Sequence, residues 1–385
     1  MGALPPNPQG IFGKMKMYTP QDEAELAEVI AEARAPLCIE GGGTRGFGLE
    51  GDVLRTSGLT GIELYEPGSL TLVARAGTPV AEIEQILAAE GQRMAFEPMD
   101  ARAVLGSSGA ATIGGVFATN SSGPRRIQGG AARDYLLGVR FVDGTGQVVK
   151  NGGRVMKNVT GYDLVKLMAG AHGTLGVLSE LSLKVLPIPE AVVTVSVAVV
   201  DLTVAVRAMS AALGSPYDVS GAAYDPKTGL VHVRLEGFAP SVGYRQEKLA
   251  TELAGFGAVA IDAGSEALWQ GVRDVAGFRG RVGDVWRISV RPSDAPLLAP
   301  MLEAEALQFD WGGGLIWALC DAGADLRARM AQAGVAGHAT LVRGSAATKT
   351  RLGRFQPQVA PLAAIAKGLR QKFDPKGLLN PGIMG

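Results

Sequence analysis

Apolar positions near the start of the chain switch between two periods. Leu26, Ala27, Val29, Ile30 and Ala33 recur at helical spacing behind Thr19-Pro20-Gln21-Asp22-Glu23, which supplies a cap residue, a first-turn proline and N-terminal acids. Arg34-Ala35-Pro36 ends this helix, and Leu37-Cys38-Ile39 predicts a short strand running into Gly41-Gly42-Gly43-Thr44-Arg45-Gly46. A strand over Leu70 to Ala74 and a helix from Pro79 through Glu90 follow, the helix carrying Val80, Ile83, Ile86 and Leu87 on one face. Helix, strand, glycine loop, strand, helix is an α/β pattern. Leu137 to Val142 and Gln147 to Lys150 predict a hairpin around Asp143-Gly144-Thr145-Gly146. Tyr162 to Ala169 predicts a short helix, and Val177 to Leu186 alternates as a strand.

Pro187-Ile188-Pro189 marks a domain boundary. Beyond it come a strand (Val192 to Val200), a helix (Leu202 to Leu213), strands near Ala222 and over Val231 to Glu236, and a helix from Gly243 to Leu253. That order predicts a βαββαβ-type lobe with an antiparallel sheet. Strands near Trp286 to Val290 and Leu315 to Leu319, a helix over Pro296 to Ala306, and an amphipathic helix over Val359 to Phe373 complete the pattern. No repeat of fixed period is evident.

Composition narrows the classes. With 385 residues, 54 of them glycine, 47% hydrophobic and 37 basic against 37 acidic, the chain is a folded protein of about two domains. Zero net charge argues against a nucleic-acid binder. Cys38 and Cys320 can build neither a disulfide framework nor an iron–sulfur cluster, which takes about four thiolates. His172, His232 and His338 leave little for a metal cage, so no metal is expected. The longest apolar stretch, Ala191 to Val200, is interrupted by Thr194 and Ser196 and falls well short of the roughly 20 residues a membrane helix needs. Residues 1–16 lack the apolar core of a signal peptide and read as a flexible tail, which makes the cytoplasm the default compartment.

Two glycine-rich segments carry the candidate chemistry. Gly41 to Gly46 matches G-x-G-x-x-G after a strand, yet no helical period follows, as a nicotinamide dinucleotide fold would require. What survives is a loop whose backbone N–H groups can converge on a phosphate, or a plain tight turn. The second segment, Ser107 to Gly123, is built of small residues, and Thr112 suits the cap of a short helix. Between Asp100 and Asp134 there is no acid but Arg102, Arg125, Arg126 and Arg133, a local charge that favours an anion.

Taken in order, Pro36 to Arg45, Pro98 to Gly130 and Gly161 to Val185 resemble the FAD-binding domain of the vanillyl-alcohol-oxidase (PCMH-type) flavoproteins. The ending Phe373-Asp374-Pro375-Lys376-Gly377-Leu378-Leu379-Asn380-Pro381-Gly382 is similar to that family's ending. Within the family, Pro98-Met99-Asp100 and Thr112 to Arg126 look like the FAD-carrying subunits of glycolate oxidases. The resemblance implies an α+β, two-lobed fold: a PCMH-type FAD-binding domain over 17–187, an α/β cap lobe on an antiparallel sheet over 188–350, and a segment 351–385 returning to the FAD domain. It implies that Gly41, Gly42, Gly43, Thr44 and Arg45 hold the FAD pyrophosphate. Pro98, Asp100, Ser107, Ser108, Thr112, Gly114, Gly115, Ala118, Asn120 and Gly123 would lie along the ADP and isoalloxazine parts, and Gly173, Thr174 and Val177 would close the adenine and ribitol side. Covalent members place a His near the first loop or a Cys further on. Here that loop ends Arg45-Gly46, so a non-covalent flavin is expected.

The resemblance also implies a reaction and partners: oxidation of glycolate, a small 2-hydroxy acid, to glyoxylate. Electrons would pass through the flavin to a larger paralogous flavoprotein and an iron–sulfur subunit, with any inner-membrane association peripheral and through those partners. Catalytic 2-hydroxy-acid members carry a His-rich metal cluster with a Gly-Glu-His-Gly signature, which this chain lacks. His338 is a candidate base and Arg343 a candidate carboxylate ligand, but neither is convincing. A self-sufficient 2-hydroxy-acid or alcohol dehydrogenase and a flavin-binding assembly subunit without turnover remain the alternatives.

Overall fold

The computed structural model describes residues 15–46, 51–154 and 161–384. Of the expected tail, Met15 and Lys16 alone fall among them, and the Lys16 amide donates to Asp52 Oδ1 at 2.9 Å. The first helix, Glu23–Glu32, starts later than the pattern around Thr19 suggested. Its cap is Asp22, whose carboxylate accepts from the Ala24 and Glu25 amides at 2.9 Å. One acidic oxygen satisfying two orphan donors outweighs the earlier threonine.

A three-stranded parallel sheet orders Met17–Tyr18, Asp52–Arg55 and Leu37–Glu40. Behind it stands a five-stranded antiparallel sheet in the order Ile62–Glu66, Thr71–Arg75, Val177–Lys184, Leu136–Val142, Val148–Gly152. The hairpin read from Asp143-Gly144-Thr145-Gly146 pairs Val142 with Val148. Helix Val80–Ala89 buries Ile83 and Leu87 against this sheet, where Phe96, Phe117, Phe141 and Leu181 are wholly buried. The C-terminal segment closes back on these strands: Leu37 donates to the Leu378 carbonyl at 2.8 Å, and Asn380 donates to that of Leu37 at 3.0 Å.

From Ala191 an eight-stranded sheet forms a second core. It is two βαββαβ halves. The first runs Ala191–Ala198, helix Leu202–Gly214, Val219–Asp225, Leu230–Gly237, helix Ala239–Leu253, Val259–Ala263. The second runs Asp284–Val290, helix Ala295–Met301, Ala306–Asp310, Leu315–Cys320, helix Leu326–Gln332, Gly337–Arg343. They meet edge to edge at the pair Tyr224 and Phe309, whose rings lie 5.9 Å apart. A duplication is therefore present where the sequence offers no repeat. The helix expected to reach Ala306 stops at Met301, because Pro300 removes a donor and Glu303 has φ of +44°.

Buried ion pairs join the two cores. Arg125 and Arg93 reach Glu236, and Arg234 forks onto Glu97 at 2.7 and 3.0 Å. Burial pushes the Glu236 carboxyl up, but the guanidiniums of Arg234, Arg125 and Arg93 outweigh it and hold the group down at about 2.

Candidate functional site

The strand Leu37–Glu40 delivers the chain into Gly41-Gly42-Gly43, where packing admits no side chain at Gly41 or Gly42 and Gly43 takes a φ of +74°. A Cβ on Gly42 would lie 1.5 Å from the Ala110 carbonyl oxygen, and one on Gly109 would lie 2.1 Å from the Gly42 carbonyl oxygen. A Cβ on Gly41 would lie 2.3 Å from Thr112 Oγ1. The two glycine-rich segments are thus pressed back to back. Ser107 Oγ fixes them by donating to the Thr44 carbonyl at 2.6 Å. Thr112 caps helix Ile113–Ala118, accepting from the Gly115 amide at 3.3 Å, and Gly114 abuts Ala76.

Between this loop and the strand Val177–Lys184 lies a cleft that is partly open to solvent. Of the residues expected to hold the cofactor, Gly41, Gly42, Gly43, Thr44, Arg45, Thr112, Gly114, Gly115, Ala118, Gly173 and Val177 line it. Its floor is apolar, with Ala76, Ala111, Met168 and Leu178. The backbone N–H groups of Gly42, Gly43, Thr44 and Arg45 donate to no protein acceptor among the described residues. Exposed donors above a side-chain-free backbone are what a diphosphate requires, and the apolar floor suits flat rings.

Other expected residues stand elsewhere. Asn120 and Gly123 line a neighbouring cavity instead. Asp100 turns to Arg102 at 2.7 Å, and Ser108 is exposed outside both cavities, as Pro98 also stands outside both. Thr174 is buried, donating to the Ala171 carbonyl at 2.7 Å. The acid-free stretch is not a net attractor. Arg102 and Arg125 are paired with Asp100 and Glu236, Arg133 lies 3.8 Å from Asp134, and Arg126 alone faces the neighbouring cavity. One contributor was missed. Asn380 lines the cleft, accepts from the Ile39 amide at 2.7 Å and donates to the His172 carbonyl at 2.8 Å, locking the chain end over the loop.

The neighbouring cavity lies between the cleft and the eight-stranded sheet, with Arg45, Thr119 and His172 lining both. Arg45 donates to the Met99 carbonyl at 3.2 Å and to Ser121 Oγ at 3.0 Å, and burial pushes its guanidinium down to about 10. The His172 ring meets that of Phe355 at a tilt of 60°, with centres 4.8 Å apart. Burial, then Arg45 and Arg354, push its imidazole down to about 4, so it is neutral at pH 7. His232 is satisfied in the core by Ser196 Oγ at 2.9 Å.

Of the two catalytic candidates, His338 does line this cavity. Arg343 does not qualify: its Nε, Nη1 and Nη2 donate to the carbonyls of Gly283, Val104 and Arg281 at 3.1, 2.7 and 2.7 Å. It clamps three backbone segments and has no fork left for a carboxylate. Asp310, which no sequence pattern singles out, also lines this cavity and is only 3% exposed. Burial pushes its carboxyl up to about 7 against the opposing Trp311 amide bond of 2.7 Å. A carboxyl with that value exchanges a proton near neutral pH.

Comparison with known proteins agrees with this geometry. Residues 16–152 match the family described as FAD binding domain. Over 355 residues the chain is 38% identical to glycolate oxidase subunit GlcE of Escherichia coli (strain K12), covering 91% of this chain and 93% of that protein. It is 31% identical to glycolate oxidase subunit GlcD of Bacillus subtilis (strain 168), over 46% of this chain and 38% of that one. Among solved structures, alkyldihydroxyacetonephosphate synthase superposes with a TM-score of 0.68 over 95% of this chain and 75% of its own, at 14% identity, a likeness of fold. No helix among the described residues is long and apolar enough to cross a membrane. The chain belongs to the family of glycolate oxidase subunit GlcE and is an FAD-linked oxidoreductase.

Proposed function

We propose that this chain is the FAD-carrying subunit of a glycolate-oxidising assembly, holding its flavin non-covalently between the glycine loop and the strand from Val177. Similarity to GlcE over nearly the full length of both chains, at 38% identity, carries this reading. The glycine backbone at Gly41 to Gly43, with the amides that continue to Arg45, supports the placement of the diphosphate, with 17–187 and 351–385 as the FAD-binding part and 188–350 as the cap. Bound FAD supplies a two-electron acceptor. The chain's own residues bind and orient it, and the cap sheet covers the neighbouring cavity. Cys38 and Cys320 are both buried, 4% and 1% exposed, which supports a flavin without a thioether link. The partners are a larger flavoprotein akin to GlcD and an iron–sulfur protein that takes the electrons onward. Co-expression with those two chains should yield one complex. Its glycolate-dependent dye reduction should exceed that of this chain alone by at least about tenfold. Equal turnover by the isolated chain would remove the need for partners.

Asp310 favours a second reading, in which this chain oxidises a 2-hydroxy acid by itself. The ionised form accepts the hydroxyl proton, so flavin reduction by glycolate should rise with pH through about 7 and lose that rise in Asp310→Asn. Stability gives an independent readout. With the folded value above the unfolded one near 3.8, the folded state holds more protons between the two, so stability falls as pH rises through that window. Asp310→Asn should flatten that slope in urea melts. An unchanged slope would mean that Asp310 does not titrate there.

A further inference from the structure

The cavity under the cap holds two cations that make no ion pair among the described residues. Arg126 opens the short helix Arg126–Gly129 of the FAD-binding part, and Arg287 projects from strand Asp284–Val290 of the cap. Their guanidinium carbons lie 4.9 and 5.0 Å from the centre of the same ring, that of Trp311. Neither side chain makes a hydrogen bond or an ion pair among the described residues, although both line the cavity. Nearby arginines are engaged. Arg125 meets Glu236, Arg234 meets Glu97, Arg273 meets Asp274, and Arg343 meets three carbonyls.

Trp311 is itself held in an unusual way. Its φ is +54°, in the left-handed region that an indole-bearing residue seldom occupies. The Asp310 carboxylate grips its amide, and its ring nitrogen donates across the boundary to the Gly123 carbonyl at 3.1 Å. Backbone strain of this kind persists where the surroundings over-determine it, and it clusters at binding sites. Here it fixes an aromatic wall against which both guanidiniums lie.

The electrostatics agree with the geometry. Burial, then the Arg126 charge, push the Arg287 guanidinium down to about 10, and Arg126 is lowered as well. Asp310 lies in the same cavity, but its raised carboxyl makes it an incomplete counter-ion near neutral pH. Two like charges on one ring are unfavourable until an anion joins them.

We propose that Arg126 and Arg287, set against Trp311, form the carboxylate-binding site of this chain for its 2-hydroxy acid. The proposal rests on the glycolate-oxidising reading above and adds that the substrate is held by this chain, not by a partner. Two planar forks match a carboxylate, and the indole covers the short carbon skeleton.

The probe is oxalate, a planar carboxylate that cannot be oxidised at an α-C–H. Calorimetric titration of the purified holoprotein should give saturable oxalate binding. Arg126→Met and Arg287→Met should each weaken it by at least about tenfold, as expected for loss of a charge-assisted bond. Lys227→Met, on an exposed turn, should bind oxalate as the wild type does. Flavin content, measured on the same samples, should be unchanged in all three. Oxalate binding that is absent from the wild type, or equal in the arginine variants, overturns the proposal. Inorganic phosphate binding as tightly as oxalate overturns the carboxylate assignment. Because heat of binding is read without flavin absorbance, a protein that binds oxalate through these arginines but carries no FAD would contradict the flavin reading and leave this one standing.

Discussion

Gly42→Glu should purify without yellow colour, its flavin content falling below about a tenth of the wild type. Even a methyl group at this position would meet the Ala110 carbonyl oxygen, and a carboxylate would also repel the diphosphate. Because such a clash also strains the fold, Gly46→Glu serves as the separating variant. A Cβ on Gly46 meets nothing within 4 Å, yet the residue lines the cleft. Its added charge should weaken FAD retention, while the flavin-free variant should melt as the flavin-free wild type does. Gly214→Glu, where space is also open, is the control and should keep its flavin. Equal flavin in all three proteins would dismiss the glycine loop as the phosphate cradle.

Glu236→Gln should be the most damaging substitution away from the cleft. It withdraws the shared partner of Arg93 and Arg125 and a near neighbour of Arg234, leaving buried positive charge uncompensated. Breaking a buried pair in this way costs about 3–5 kcal/mol, read as a shift of the urea midpoint with little change of slope. The wild type should show the matching acid transition. Its folded carboxyl sits at about 2 against an ordinary value of 4.5, so the contribution is whole above 4.5 and lost as pH falls toward 2. A variant within about 1 kcal/mol of the wild type would mean that the network is solvated and carries little.

How far the sequence reveals this molecule depends on whether a feature is local. The glycine loop was legible because strand Leu37–Glu40 and the glycines lie next to each other, and the back-to-back contact with Gly109 and Ala110 follows from small residues in both segments. Thr112 announced its helix in the same way. Strand Val259–Ala263 was not legible, because an edge strand that is almost wholly exposed has no burial alternation to read. The two-fold character of the cap was hidden for a related reason. Its halves share a topology of strands and helices without sharing a spacing of residue types. Arg125-Arg126 shows the limit most plainly. As a dipeptide it reads as two charges pointing at one anion, whereas the fold turns Arg125 to Glu236 and Arg126 to Trp311. Arg343 and Arg287 are likewise indistinguishable as letters in cap strands, yet one is closed off by three carbonyls and the other faces the cavity.

The central claim, that this chain itself carries a non-covalent FAD in the cleft behind the glycine loop, is tested most directly by precipitating the purified protein with acid and identifying the flavin. A colourless pellet is expected, with FAD in the supernatant at close to one per chain. Flavin that stays with the pellet would contradict the non-covalent assignment, FMN in the supernatant would contradict a site built for the diphosphate, and a chain that purifies without flavin and takes up none when FAD is added would contradict the claim outright.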